Sequence, residues 1–139
     1  MASEIVSVEL DTETHEMLIT LSRDTGESPS RMLRRLVREA MRMERHPGIV
    51  FRDGPAGRRP ALIGGPDVWG VVPIVHNIAS ESDDPIAAAA NWLGIPVAHM
   101  QAAMDYYAEY TDEVDAWIAR NERLATEAEV KSRSQRTSA

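Results

Sequence analysis

Cysteine is absent from the 139 residues. That excludes a disulfide framework and any zinc site built on thiolates. No stretch approaches the roughly 18 apolar residues that a membrane-spanning helix needs, and no basic segment followed by an apolar run opens the chain. A soluble cytoplasmic protein is the expectation. The four histidines, His15, His46, His76 and His99, lie in separate segments with no second His or carboxylate at ligand spacing, so no metal site is expected. No Ser or Thr sits in a strand-turn-helix elbow between glycines, and Gly54, Gly57, Gly64 and Gly65 lack the Lys-Ser/Thr that follows a phosphate-cradling loop. These are read as turn glycines, and the chain is expected to be neither an enzyme nor a carrier of a cofactor.

Charge is present but unevenly placed. The net charge is −7, which argues against a surface coated for non-specific nucleic-acid binding. Residues 28 to 46 nevertheless carry six arginines against Glu39 and Glu44, whereas residues 81 to 115 carry eight acids and no Lys or Arg. A basic helix and an acidic second region suit two different partners, or are two solvated faces.

In Val6-Ser7-Val8-Glu9-Leu10 the apolar residues recur at every second position, the pattern of a half-buried strand. Thr12 reads as the N-cap of a helix carrying Met17, Leu18 and Leu21, and Gly26 ends it. Ser28-Pro29 opens a second helix, with Met32, Leu33, Leu36, Val37, Ala40 and Met41 on one side and arginines around the other. His46-Pro47-Gly48 closes it. A unit this small is marginal alone, and a lone strand leaves its edge unsatisfied. A homodimer in which a second copy supplies the identical strand answers both needs. Such a two-stranded ribbon fits the DNA major groove and would present Ser7 and Glu9 to base edges. The amides at residues 28 to 31, with Ser28, Ser30, Arg31 and Arg35, would grip phosphate. The alternative is a ribbon that only dimerises the chain.

From Ile49 the texture turns β-like. Ile49-Val50-Phe51 and Ala61-Leu62-Ile63 flank a Gly- and Pro-containing stretch and suggest a loose hairpin. Asp67 then precedes a helix carrying Val68, Val71, Val72 and Val75, interrupted by Pro73. Ser82-Asp83-Asp84-Pro85 starts a short helix that Gly94 ends, and Val97 opens the next, giving the outline of a helix-turn-helix. Thr111 reads as the cap of a last helix through Val114, Trp117, Ile118 and Leu124, and residues 125 to 139 read as a disordered tail. The expected organisation is therefore 1–46, 47–124 and the tail 125–139.

The N-terminal pattern resembles the ribbon-helix-helix family of dimeric DNA-binding repressors and antitoxins. The resemblance rests on Val6 to Leu10, the Thr-Gly-Glu-Ser-Pro-Ser run from Thr25 to Ser30, and Leu33, Leu36 and Val37. His46-Pro47-Gly48-Ile49-Val50, Arg59-Pro60-Ala61-Leu62-Ile63-Gly64, Val68-Trp69, Val97 to Tyr107 and Glu113-Val114-Asp115 are similar to the small DUF433 family found in antitoxin-like proteins. Together the resemblances imply a mainly α fold, an intertwined ribbon-helix-helix dimer followed by a small β-hairpin and helical domain. They imply the antitoxin of a type II toxin-antitoxin pair, binding operator DNA, repressing its own operon and neutralising a PIN-like nuclease toxin. The acidic and aromatic residues Asp105, Tyr106, Tyr107, Glu109, Tyr110 and Trp117 are the candidate toxin-binding patch, the alternatives being that several of these aromatics serve the local core and that the basic tail binds the toxin. The alternatives are a stand-alone dimeric transcription regulator and a protein-interaction or dimerisation module that does not bind DNA.

Overall fold

A computed structural model describes residues 3 to 137. Their order is α1 (Thr12–Thr25), α2 (Pro29–Arg45), β1 (Ile49–Arg52), β2 (Arg59–Leu62), α3 (Val68–Ile78), α4 (Pro85–Leu93), α5 (Val97–Glu109) and α6 (Thr111–Thr137). The chain divides into two compact units, Met1–Arg42 and Met43–Ala139.

In the first unit, Asp11 caps α1 by accepting from the Thr14 amide at 2.7 Å. Thr12, the cap expected from sequence, is instead the first helical residue. The hydrogen bond from Thr14 holds the Asp11 carboxyl below its ordinary pKa. Gly26 ends α1 in the left-handed region at φ 75°, its amide donating to Ser22 O. Ser28 then accepts from the Arg31 amide at 3.2 Å, and Pro29 occupies the first helical position, where its missing N–H costs nothing.

No ribbon precedes these helices. Residues 3 to 11 form no strand, and Ile5, Val6 and Val8 are 96%, 87% and 70% exposed. The only described sheet is the mid-chain pair β1-β2. The expected intertwined ribbon-helix-helix architecture is therefore corrected to an α-α-β-β-α-α-α-α order. Alternation over five residues shows which side chains share a face, but a strand exists only when another strand accepts and donates its backbone hydrogen bonds.

The second unit is built on the hairpin. Ile49 pairs with Leu62, Val50 with Ala61, Phe51 with Pro60 and Arg52 with Arg59 in antiparallel register. Gly54 and Gly57 exchange both backbone hydrogen bonds across the turn, at 3.1 and 2.9 Å. Arg59 and Pro60 thus belong to the strand rather than to the loop expected from sequence. α3 continues through Pro73 and buries Val68, Val71, Val72 and Val75 on one face. That valine stripe holds the helix against the others despite the missing proline donor.

Asp84 caps α4 by accepting from the Ala87 amide at 3.2 Å. Gly94, left-handed at φ 68°, closes it while the amides of Gly94 and Ile95 reach Asn91 O and Ala90 O. This paired closure turns the chain into α5 without orphaning the last carbonyls. The core joins Leu62, the α3 valines, Ala89, Ala90, Met100, Ala103, Tyr106 and Val114. The Thr111 hydroxyl donates to Tyr107 O at 2.7 Å where α5 passes into α6. Residues 125 to 137, read from sequence as a disordered tail, continue α6, and nearly all their side chains are exposed. Ala, Glu, Lys, Gln and Arg in this stretch favour a helix without any apolar period.

Candidate interaction surfaces

The α2 sequence separates charge from apolar residues, so its two faces have different chemistry. Leu36, Val37 and Met41 are exposed in the single chain, as are Met17 and Leu21 of α1. Arg31, Arg34, Arg35 and Arg38 line one shallow depression together with Glu27. Arg35 is not free to grip an anion. Its guanidinium lies 3.2 Å from Glu27 Oε2 and 3.5 Å from Glu39 Oε1, and Glu39 is buried. Arg31 is exposed, as are Ser28 and Ser30.

Ser7 and Glu9 are exposed, but they lie outside any strand and do not form a base-reading face. Groove readout by a ribbon, and the DNA-binding repressor assignment that followed from it, lose their structural basis. Side-chain alternation alone supplies no strand partner, and residues 3 to 11 have none among the described residues.

The six residues expected to form an acidic, aromatic patch fall into different settings. Tyr106 is 0% exposed and belongs to the core, packed edge-on against His46 and Phe51. Tyr110 is half-buried, its ring 4.7 Å from that of Tyr106 and 5.8 Å from that of His46. Tyr107 is half-buried and donates its hydroxyl to Asp115 at 2.8 Å. That hydrogen bond raises the phenol pKa, because it loses its donor on ionisation beside a carboxylate. Trp117 stacks at a tilt on Trp69, with ring centroids 5.7 Å apart, and Arg120 lies over its ring. Asp105 is exposed and accepts from Gln101 Nε2 at 2.8 Å.

Glu109 joins the end of α2 to α5. Its carboxylate is 2.5 Å from His46 Nε2 and 3.0 Å from Arg45 Nη2. The His46 hydrogen bond, with the Arg45 charge behind it, holds the Glu109 carboxyl below its ordinary value. His46 is buried where α2 meets β1, so the pair ties this corner of the second unit together.

The exposed aromatic side chain that sequence reasoning missed is Trp92, 70% accessible near the end of α4, with Val97 exposed at the start of α5. The signal was present in the spacing. Ile86, Ala89, Ala90 and Leu93 share the inward face, and Trp92 falls off it. Trp92 and Val97 lie within residues 81 to 115, which carry eight acids and no Lys or Arg.

Among the described residues there is no cluster of three or more His, Cys, Asp or Glu that could hold a metal, and no helix is long and apolar enough to cross a membrane. Compared with protein-family models, curated proteins and solved structures, the chain matches none. The two family resemblances are withdrawn on these findings together with the order of elements, in which two helices precede the hairpin and no N-terminal strand is formed.

Proposed function

We propose that the protein is a homodimeric binding protein that acts by engaging a second protein, in the manner of an antitoxin that neutralises its toxin. The observation that carries this reading is the contrast in apolar exposure. The first unit leaves Val6, Met17, Val37 and Met41 in solvent, while the second encloses its valines, Met100 and Tyr106. A unit with its apolar face outside gains stability by covering it, and a second copy is the partner always at hand. The second unit supplies a separate surface for a different protein. Trp92 and Val97 offer an apolar anchor within an acidic stretch, which suits a partner with a basic rim around an apolar pocket. A dimerisation module without a toxin is the second reading, favoured by the same exposed face.

The test has two arms. Light scattering on the purified chain should give a dimer at micromolar concentration, and Val37→Asp with Met41→Asp should give a monomer with the second unit still folded. Co-expression with the product of the adjacent gene should relieve that product's toxicity and yield a stable complex that Trp92→Ala weakens by tenfold or more, a loss of about 1.4 kcal/mol. A monomeric wild-type chain overturns the dimer. An adjacent product that is harmless and does not bind removes the antitoxin reading and leaves the dimerisation module.

A further inference from the structure

One cleft of the second unit brings two arginines of the hairpin beside the first turn of α3. Arg52 and Arg59 are cross-strand partners in the hairpin, so their like charges stand side by side. Asp67 answers both. Its Oδ1 is 3.2 Å from Arg52 Nη2, and its Oδ2 is 2.7 Å from Arg59 Nε. One carboxylate shared between two guanidiniums leaves a positive charge over. Pro66, Trp69, Gly70 and Asn121 complete the lining of a cleft of about 340 Å³. The indole Nε1 of Trp69 is buried and has no acceptor among the described residues. An unpaired buried donor is unfavourable, so a ligand that supplies an acceptor there is favoured.

Arg52 Nη2 also donates to Gly65 O, and we infer that this cleft binds a small oxyanion, a carboxylate or phosphate group, held by the guanidinium donors of Arg52 and Arg59 that Asp67 and Gly65 leave over and by the Trp69 indole. Guanidinium presents paired donors in one plane, which matches two oxygens of either group. Gly54 is part of the same construction. A Cβ at this position would fall 1.7 Å from Arg59 Nη1, so the missing side chain lets the guanidinium lie over the turn. Asp67 has two opposed effects. It holds the arginines in place, and it competes with the incoming anion for them.

The experiment uses the full chain and follows the indole N–H signals of its three tryptophans by nitrogen-15 NMR at constant ionic strength. The Trp69 signal is assigned by its loss in Trp69→Phe. Titration with inorganic phosphate or with acetate, against chloride, should move it saturably in the millimolar range and leave that of Trp92 in place. Saturation by acetate alone identifies a carboxylate source such as a protein side chain. Saturation by phosphate alone identifies a phosphate group. Arg59→Gln should abolish the response. Gly54→Ala, which displaces the guanidinium without disturbing a left-handed backbone, should weaken it severalfold. Asp67→Asn should tighten it severalfold by removing the competing charge. The inference fails if the Trp69 signal ignores both anions, shifts without saturation as chloride also makes it do, or responds equally in the Gly54→Ala and wild-type proteins.

Discussion

The two units spend comparable secondary structure to different ends. In the second, α3, α4, α5 and the start of α6 turn their apolar faces toward one another, and Leu62 and Tyr106 are wholly buried. In the first, α1 and α2 are properly started and stopped, yet Leu36, Val37 and Met41 remain exposed. Helix formation and core formation are therefore separate achievements. Caps and amphipathic spacing suffice for the former, but the latter needs enough chain to close around its own apolar surface.

Truncation mutants should break this comparison most sharply. Tyr106→Ala should destabilise the second unit by about 3 to 5 kcal/mol, the range for a buried aromatic, measured by urea unfolding. Val37→Ala should change stability by under about 0.5 kcal/mol in any monomeric sample, where the side chain already meets water. A large effect of Val37→Ala in a monomer would show that the first unit has a closed core of its own.

The turn between α4 and α5 sharpens the contrast at a smaller scale. Gly94→Ala should cost about 1 to 2 kcal/mol, because an L side chain is strained at its φ of 68°. The same urea transition reports it, and an unchanged midpoint would mean that the turn relaxes freely.

The smallest effect concerns acid. The Glu109 carboxyl is held below its ordinary value of 4.5 by His46 and Arg45. Its folded pKa is depressed, so its contribution to stability is present above the unfolded value and disappears as pH falls through the lower folded one. Glu109→Gln should therefore be less stable than the wild type near neutrality, and the two should converge in acid below that window. A difference that persists unchanged at low pH would assign the loss to packing rather than charge.

Much of the helical organisation was legible because its signals are local. Ser28-Pro29, Asp84-Pro85 and Gly94 act on the amides and carbonyls within a turn of themselves, and their chemistry is written in adjacent residues. The ribbon was misread because Val6 and Val8 share a face whether or not any strand lies beside them. Which aromatics of the acidic segment stay outside the core is likewise beyond local spacing. Tyr106, Tyr107 and Tyr110 lie within five residues of sequence, but one turn of helix sends Tyr106 into the core and leaves the others half-buried. Trp92 was legible from its helical phase, which sets it off the face shared by Ile86, Ala89, Ala90 and Leu93. The charged cleft was not legible, since Arg52, Arg59 and Asp67 meet only after the hairpin and α3 have packed.

The sequence by itself determined where α1 ends, where α2 begins and where α4 begins and ends, the separation of arginines from acids, and the apolar stripes of α2 and α3. These properties depend on neighbours within about four residues, the reach of a helical turn. Tertiary structure decided which stripes are covered, which arginines are already paired, and which aromatic side chain meets solvent. Those outcomes depend on groups brought together from distant parts of the chain, as when Glu109 closes on His46 across 63 residues.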